Sequence, residues 1–152
     1  MLAALVASFA VAAEPADWQK AESPYLKNIT QVTKDYVRAG EGYFSPDGKT
    51  IIFQAEEKDT GNPFYQIFTT DLATGRTRRV STGVGKCTCS FFRPDGKKII
   101  FASSHLDPDA KKKYEEEYQR RKADAAAGRH RRYQWDFDPY MTIFEADPDG
   151  TN

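Results

Sequence analysis

The segment "YFSPDGKTIIF" fills residues 43–53, and "FFRPDGKKIIF" fills residues 91–101, an offset of 48 residues. At that offset Gly42 aligns with Ser90, Phe44 with Phe92, Pro46 with Pro94, Asp47 with Asp95 and Gly48 with Gly96. Ile51, Ile52 and Phe53 align with Ile99, Ile100 and Phe101. The register also runs backwards: "TQVTKD" at 30–35 precedes "RRVSTG" at 78–83 by the same 48 residues, pairing Val32 with Val80 and Thr33 with Ser81. Two near-identical stretches must form the same local structure, so the chain is built from a repeated unit.

The chemistry of one unit says what that structure is. Pro46 presets φ, Asp47 bonds its own backbone, and Gly48 takes a positive φ that other residues avoid. Pro94, Asp95 and Gly96 do the same in the second copy. A short aromatic strand, 42–45, precedes the turn, and a β-branched strand, 49–55, follows it, which makes a hairpin. Asn62-Pro63 breaks the chain. "YQIFTTDL" at 65–72 reads as a third strand, "ATGRT" as a turn, and "RTRRVST" at 76–82 as a polar edge strand. Four antiparallel strands per unit at this period describe a propeller blade. Residues 28–34 are expected as a further strand belonging to a neighbouring blade.

The second unit is interrupted. "DPDAKKKYEEEYQRRKADAAAG" reads as a helix, with Asp107 as cap, Pro108 in the first turn and Gly128 at the end. Lys111–Glu115, Lys112–Glu116, Glu116–Arg120 and Glu117–Arg121 are spaced for i,i+4 ion pairs. The helix has no broad apolar stripe, only Tyr114 and Tyr118, so it is expected to be solvated and to project from the blades. The chain returns to a strand over 141–146 and then reaches "DPDGTN" at 147–152. The fold class is therefore all-β: a partial β-propeller of about two four-stranded blades with one helical insertion near 107–140.

Composition narrows the function. Lys plus Arg and Asp plus Glu both total 22, so the formal net charge is zero, and no general nucleic-acid or anionic-membrane binding is expected. The apolar run at 2–13 is too short to span a bilayer. Ala10, Ala12 and Ala13 followed by Glu14-Pro15 match a signal-peptidase region, although no Lys or Arg precedes the run. Residues 1–13 are expected as a signal peptide, 14–25 as a linker and 26–152 as the partial propeller; an apolar first helix packed in the domain is the alternative.

Several side chains invite chemical readings. Cys87 and Cys89 would share one face of a strand with Cα atoms about 6.5 Å apart, poor disulfide geometry, and no further ligands lie nearby for a metal. They are expected as small packing residues. Ser103-Ser104-His105 alternates faces, so Ser104 and His105 should not meet as nucleophile and base. "DPDGTN" is expected as a blade turn rather than the start of a calcium loop. With no Gly-rich phosphate loop, no nucleophile elbow and no His/Cys cluster, neither cofactor nor metal is expected, and the segment carries no catalytic constellation.

One local basic-aromatic cluster remains: Arg129, His130, Arg131 and Arg132, with Tyr133 and Trp135. It would suit an acidic partner, a glycan or a phosphate group. It would equally suit a solvated helix end, where cations complement the dipole.

"YFSPDGKTIIF", "QIFTTDLATG" and "FFRPDGKKIIFAS" resemble the repeats of TolB-like β-propellers, Pro-Asp-Gly relatives of the WD repeat. The resemblance covers residues 26–152. It implies an exported, periplasmic or secreted propeller of bacterial type that acts without catalysis, binding a protein, peptide or glycan through blade loops and the insertion. TolB itself carries a separate α/β domain ahead of its propeller, and only a short stretch precedes residue 26 here, so the Tol–Pal role is not carried over. The blade pattern is similar also to the propeller of prolyl-oligopeptidase-type peptidases, whose catalytic domain follows it; a serine peptidase or other hydrolase with its catalytic domain beyond residue 152 is the alternative. Both readings expect the remaining blades in sequence beyond residue 152.

Overall fold

In a computed structural model, residues 17–130 and 137–151 are described. They fall into two compact units, divided between Gln31 and Val32. In the first, helix α1 (Trp18–Glu22) is started by Asp17, whose carboxylate accepts from Lys20 N at 3.2 Å. No strand forms over 28–34. A strand is stable only within a sheet, and neither described sheet includes this segment.

The second unit holds two antiparallel sheets. The first is ordered β1 (Tyr36–Phe44), β2 (Thr50–Glu57), β3 (Gln66–Asp71), β4 (Thr77–Arg79). The second is ordered β5 (Cys87–Phe92), β6 (Ile99–Ser103), β7 (Thr142–Ala146). The sequence repeat is a repeat of register. Tyr43 pairs with Ile52 and Phe44 with Ile51; Phe91 pairs with Ile100 and Phe92 with Ile99. Ala39 faces Ala55 as Cys87 faces Ser103. The two Pro-Asp-Gly turns close alike: Gly48 N donates to Ser45 O at 2.9 Å and Gly96 N to Arg93 O at 2.8 Å, both glycines at φ 70°. Asp47 and Asp95 each accept the N–H two residues on.

The repeat includes a defect that the letters hide. Both hairpins slip register, between Gly40 and Tyr43 and between Thr88 and Phe91, and the extra residues are Glu41 (φ 49°) and Cys89 (φ 52°). This β-bulge corrects the expectation that Cys87 and Cys89 share a face. The inserted residue breaks the two-residue alternation, so Cys87 is buried while Cys89 is exposed, and both thiols are free.

The sheets pack face to face. Ile52, Ile67 and Val80 of the first repeat meet Cys87, Ile99, Phe101 and Ala146 of the second repeat, with Phe92 and Phe144 at the margin. Full burial of each isoleucine contributes roughly 1.5–3 kcal/mol. On the far face of the first sheet, Phe53, Ala55 and Phe68 are buried, with the Tyr36 ring set edge-on to Phe53 and Phe68 at 5.7 and 5.0 Å. The edge strand β4 is only three residues long and fully exposed, as its arginines require.

The helix of the insertion, α2 (Ala110–Ala126), begins two residues later than expected, with Asp109 rather than Asp107 at its cap position. Asp107 instead accepts from Asp109 N and binds Lys113, so its carboxylate is used inside the stem. The far end matches expectation: Gly128 at φ 61° allows Gly128 N to reach Ala125 O and Arg129 N to reach Asp124 O, a Schellman closure. "DPDGTN" is a turn through Thr151: Asp147 N donates to Thr151 O at 2.7 Å, and Asp149 accepts from Thr151.

Candidate interaction surface around the insertion

The helix does not project freely. Ala110, Tyr114, Glu117 and Arg121 recur at i, i+4, i+7 and i+11, one face of a helix. That face lies on the loops of the first sheet, and most of its contacts are polar. The Tyr114 hydroxyl oxygen accepts from Gly85 N and, at 3.2 Å, from Asn62 Nδ2; its ring meets Phe64 at 5.9 Å. Asn62, buried, also donates to Gly83 O and Gly85 O. Burial pushes the Tyr114 phenol up, so it stays neutral at ordinary pH.

Glu56, at the end of β2, is the second anchor. Its side chain is 5% exposed and accepts from Arg121 at 2.6 Å and from Arg38 Nε at 2.8 Å. Arg121 also donates to Glu117 at 2.8 Å and to Pro63 O at 2.8 Å. Arg38 lies over the Tyr65 ring, 4.5 Å from its centroid. Two arginines against two glutamates leave no buried charge unmatched, the condition under which such a group is tolerated.

A third cluster ties the stem. Asp107 begins the insertion and Asp138 ends it; both side chains are nearly inaccessible. Lys113 reaches Asp107 at 2.5 Å and Asp138 at 3.5 Å, and Lys86 reaches Asp138 at 3.4 Å. The hydrogen bond from Lys113 holds the Asp107 carboxyl below its ordinary range, and the same bond holds Lys113 above its own.

The expected candidates are placed unevenly. Arg129 pairs with Asp124 at 3.0 Å, and His130 is exposed. Arg131, Arg132, Tyr133 and Trp135 lie outside the described residues. What is described is the ground on either side: the Schellman closure at Gly128 before them, and after them exposed Phe137 and buried Asp138. Apolar periodicity does not reveal the anchors Glu56, Asn62, Tyr114 and Arg121, because they hold the helix through polar groups. The spacing of Tyr114 with Arg121, two turns apart, was the available signal.

Ser104 and His105 do not meet. Ser104 Oγ accepts from Lys86 N, while His105 Nδ1 lies 2.9 Å from Ser103 Oγ. Ser103 is fully buried and touches Cys87 Sγ at 3.3 Å. Burial raises the Cys87 thiol above its ordinary range, which keeps it protonated and unreactive. Among the described residues, no three His, Cys, Asp or Glu side chains gather as a metal site, and no helix is long and apolar enough to cross a membrane.

No family model and no curated protein matches the chain. Solved structures do. One assigned as TolB from Agrobacterium tumefaciens aligns over 81% of this chain with a TM-score of 0.53 at 20% identity. The chain spans 34% of that protein's length. TolB from Acinetobacter baumannii aligns over 50% of this chain and 18% of its own, at 29% identity and a TM-score of 0.39. An acylaminoacyl peptidase from Pyrococcus horikoshii aligns over 43% and 10%, at 25% identity and a TM-score of 0.33. The first of these likenesses is one of fold: the two sheets are part of a TolB-like β-propeller.

Proposed function

We propose that this chain is part of an exported, non-catalytic propeller that binds an acidic protein, peptide or glycan through the arm 129–137 carried by its insertion. The observation that supports this reading is the anchoring. Propellers present their loops from a rigid body, and binding residues concentrate on loops so held. Here α2 is fastened to the first sheet at Tyr114 and Arg121, and the stem is fastened at Lys113. The chain on either side of the arm is held in place, at Gly128 by backbone hydrogen bonds and at Asp138 by Lys86 and Lys113. Its basic residues Arg129, Arg131 and Arg132, beside Tyr133 and Trp135, suit carboxylate, sulfate or phosphate groups. Export, to the periplasm or beyond the cell, rests on the apolar run and small residues of 2–13.

The test is binding of an immobilised acidic peptide and a sulfated oligosaccharide, each against its uncharged counterpart. Salt-sensitive binding that is lost when Arg129, Arg131 and Arg132 are changed to Ser supports the reading. No binding, or binding indifferent to those substitutions, contradicts it. Residues 1–25 fused to a reporter that is active only after export test the localisation separately.

A further inference from the structure

A run of polar side chains crosses the packing between the two sheets. His105, half-buried just past β6, brings Nδ1 to 2.9 Å from Ser103 Oγ. Ser103 Oγ also accepts from His105 N at 3.2 Å and lies 3.3 Å from Cys87 Sγ. Cys87 Sγ in turn lies 3.7 Å from Gln66 Oε1 on β3. Gln66 Oε1 accepts from Ser81 Oγ at 2.8 Å and from Gly83 N at 3.1 Å, and Gln66 Nε2 donates to Gly85 O at 2.9 Å. Ser103, Cys87 and Gln66 are at most 2% exposed, so these groups must satisfy one another. The loop 83–85 that Gln66 holds is also the seat of Tyr114 of α2, through Gly85 N.

The donors and acceptors fit together in one direction when His105 is neutral. A hydroxyl has one proton and two lone pairs, a carbonyl oxygen two lone pairs, and a thiol one proton. Ser103 O–H donates to His105 Nδ1, and Ser103 Oγ accepts from His105 N and from the Cys87 thiol. Gln66 Oε1 keeps its two donors, Ser81 and Gly83. Every group is then satisfied, and the imidazole proton sits on Nε2. A protonated His105 breaks this order, because Nδ1–H must donate to Ser103 Oγ. The lone pairs of Ser103 are filled by Nδ1–H and His105 N, so its own proton turns to Cys87 Sγ. Burial keeps the thiol protonated. Its displaced proton is left with Gln66 Oε1, where Ser81 and Gly83 already take both lone pairs.

We propose that His105 is a pH-sensitive switch for the loop 83–85: its protonation reverses the hydrogen bonds at Ser103 and Cys87 and sets the thiol against Ser81 and Gly83 at Gln66. Histidine is the residue type that changes charge between about pH 5 and 8. The charged groups around the run are paired elsewhere. Asp107, two residues on, is held by Lys113, and Lys86 by Asp138. Arg79, whose charge reaches the Cys87 thiol, is held by Glu57. From β7 the Phe144 ring lies 4.3 Å from the imidazole, and Glu145 is bound to Arg93. The bond between Lys113 and Asp107 holds the carboxyl below and the amine above its ordinary range, so neither changes charge near neutral pH. Because Tyr114 sits on the loop, mild acid weakens one anchor of α2. This inference does not depend on what the arm 129–137 binds.

The test is a pH titration of the 152-residue chain, with nuclear magnetic resonance of the His105 ring and the Gly83 amide. The neutral ring is expected as the Nε2–H tautomer, and the Gly83 amide is expected to shift with the same midpoint as the ring. Ser103→Ala and Cys87→Ala cut the run at successive links; each should leave the ring titrating and abolish the Gly83 response. His105→Gln should abolish it too, whereas His130→Gln, at the second of the two histidines, should leave it intact. A wild-type Gly83 amide that does not follow the ring would overturn the proposal without recourse to any variant. So would a neutral ring carrying its proton on Nδ1, or a Gly83 response that survives Cys87→Ala.

Discussion

Glu41 and Cys89 occupy the same left-handed backbone position, at φ 49° and 52°, on strands that are copies of one another. Neither is glycine, and an L-residue there costs roughly 1–2 kcal/mol. Glycine relieves that strain but loses more freedom on folding. Glu41→Gly and Cys89→Gly should each stabilise the protein by about 0.5–1 kcal/mol, measured by urea denaturation. Cys89→Val, with a β-branched side chain at positive φ, should destabilise it. Unchanged midpoints across all three would mean that the bulges are not held as described.

Gly48 and Gly85 share a φ of 70°, but their surroundings differ. A Cβ at Gly48 meets nothing within 4 Å, whereas one at Gly85 meets the Ser104 carbonyl at 2.7 Å and His105 N at 2.9 Å. Gly48→Ala should cost about 1–2 kcal/mol from backbone strain alone. Gly85→Ala should cost about 3 kcal/mol or more, since neighbouring backbone must also move. Equal losses in the two variants would rule out the close approach of β5's entry loop to residues 104–105.

Arg121 and Glu56 join the insertion to the first sheet. Arg121→Ala leaves Glu56 with Arg38 as its remaining cationic partner and should cost about 1–3 kcal/mol. Glu56→Gln should cost less, because the neutral amide is cheaper to bury. A double-mutant cycle on chemical denaturation should give a coupling of at least about 0.5 kcal/mol. Additive losses would mean that the pair does not act as one.

The stem has a pH dependence of defined sign. Asp107 is held below its ordinary range chiefly by the Lys113 hydrogen bond. Its contribution is therefore present above the unfolded value of about 3.9 and fades as pH falls through the lower folded value. Lys113 is held above its ordinary range by the same bond, so its contribution is present below about 10.4 and fades as pH rises through the raised folded value. The stability difference between the wild type and Asp107→Asn should be constant at neutral pH and shrink below about pH 4. A constant difference down to acid unfolding would contradict the pairing.

Much of this architecture was legible in the sequence because the turns are written in residues that leave little choice. Pro-Asp-Gly fixes a hairpin, and a second copy fixes its register. The bulges were not legible, because Glu41 and Cys89 stand where glycine would have signalled a positive φ. The failure of 28–34 to form a strand was not legible either: its counterpart at the 48-residue offset forms a strand at 77–79 because β3 lies beside it. The docking of α2 was hidden for a different reason. Apolar periodicity reports burial by the hydrophobic effect, and this face is held by a phenol, a guanidinium and two carboxylates.

The measurement that tests the account most directly is hydrogen exchange along α2. If the insertion is an anchored platform for the arm 129–137, amides from Tyr118 to Lys122 should be protected to a degree comparable with β2 and β3. Glu56→Ala should lower that protection without altering the hairpin at 43–53. Exchange in the wild type as fast as in an isolated helix, unaffected by Glu56→Ala, would contradict the anchoring and with it the proposed role of the insertion.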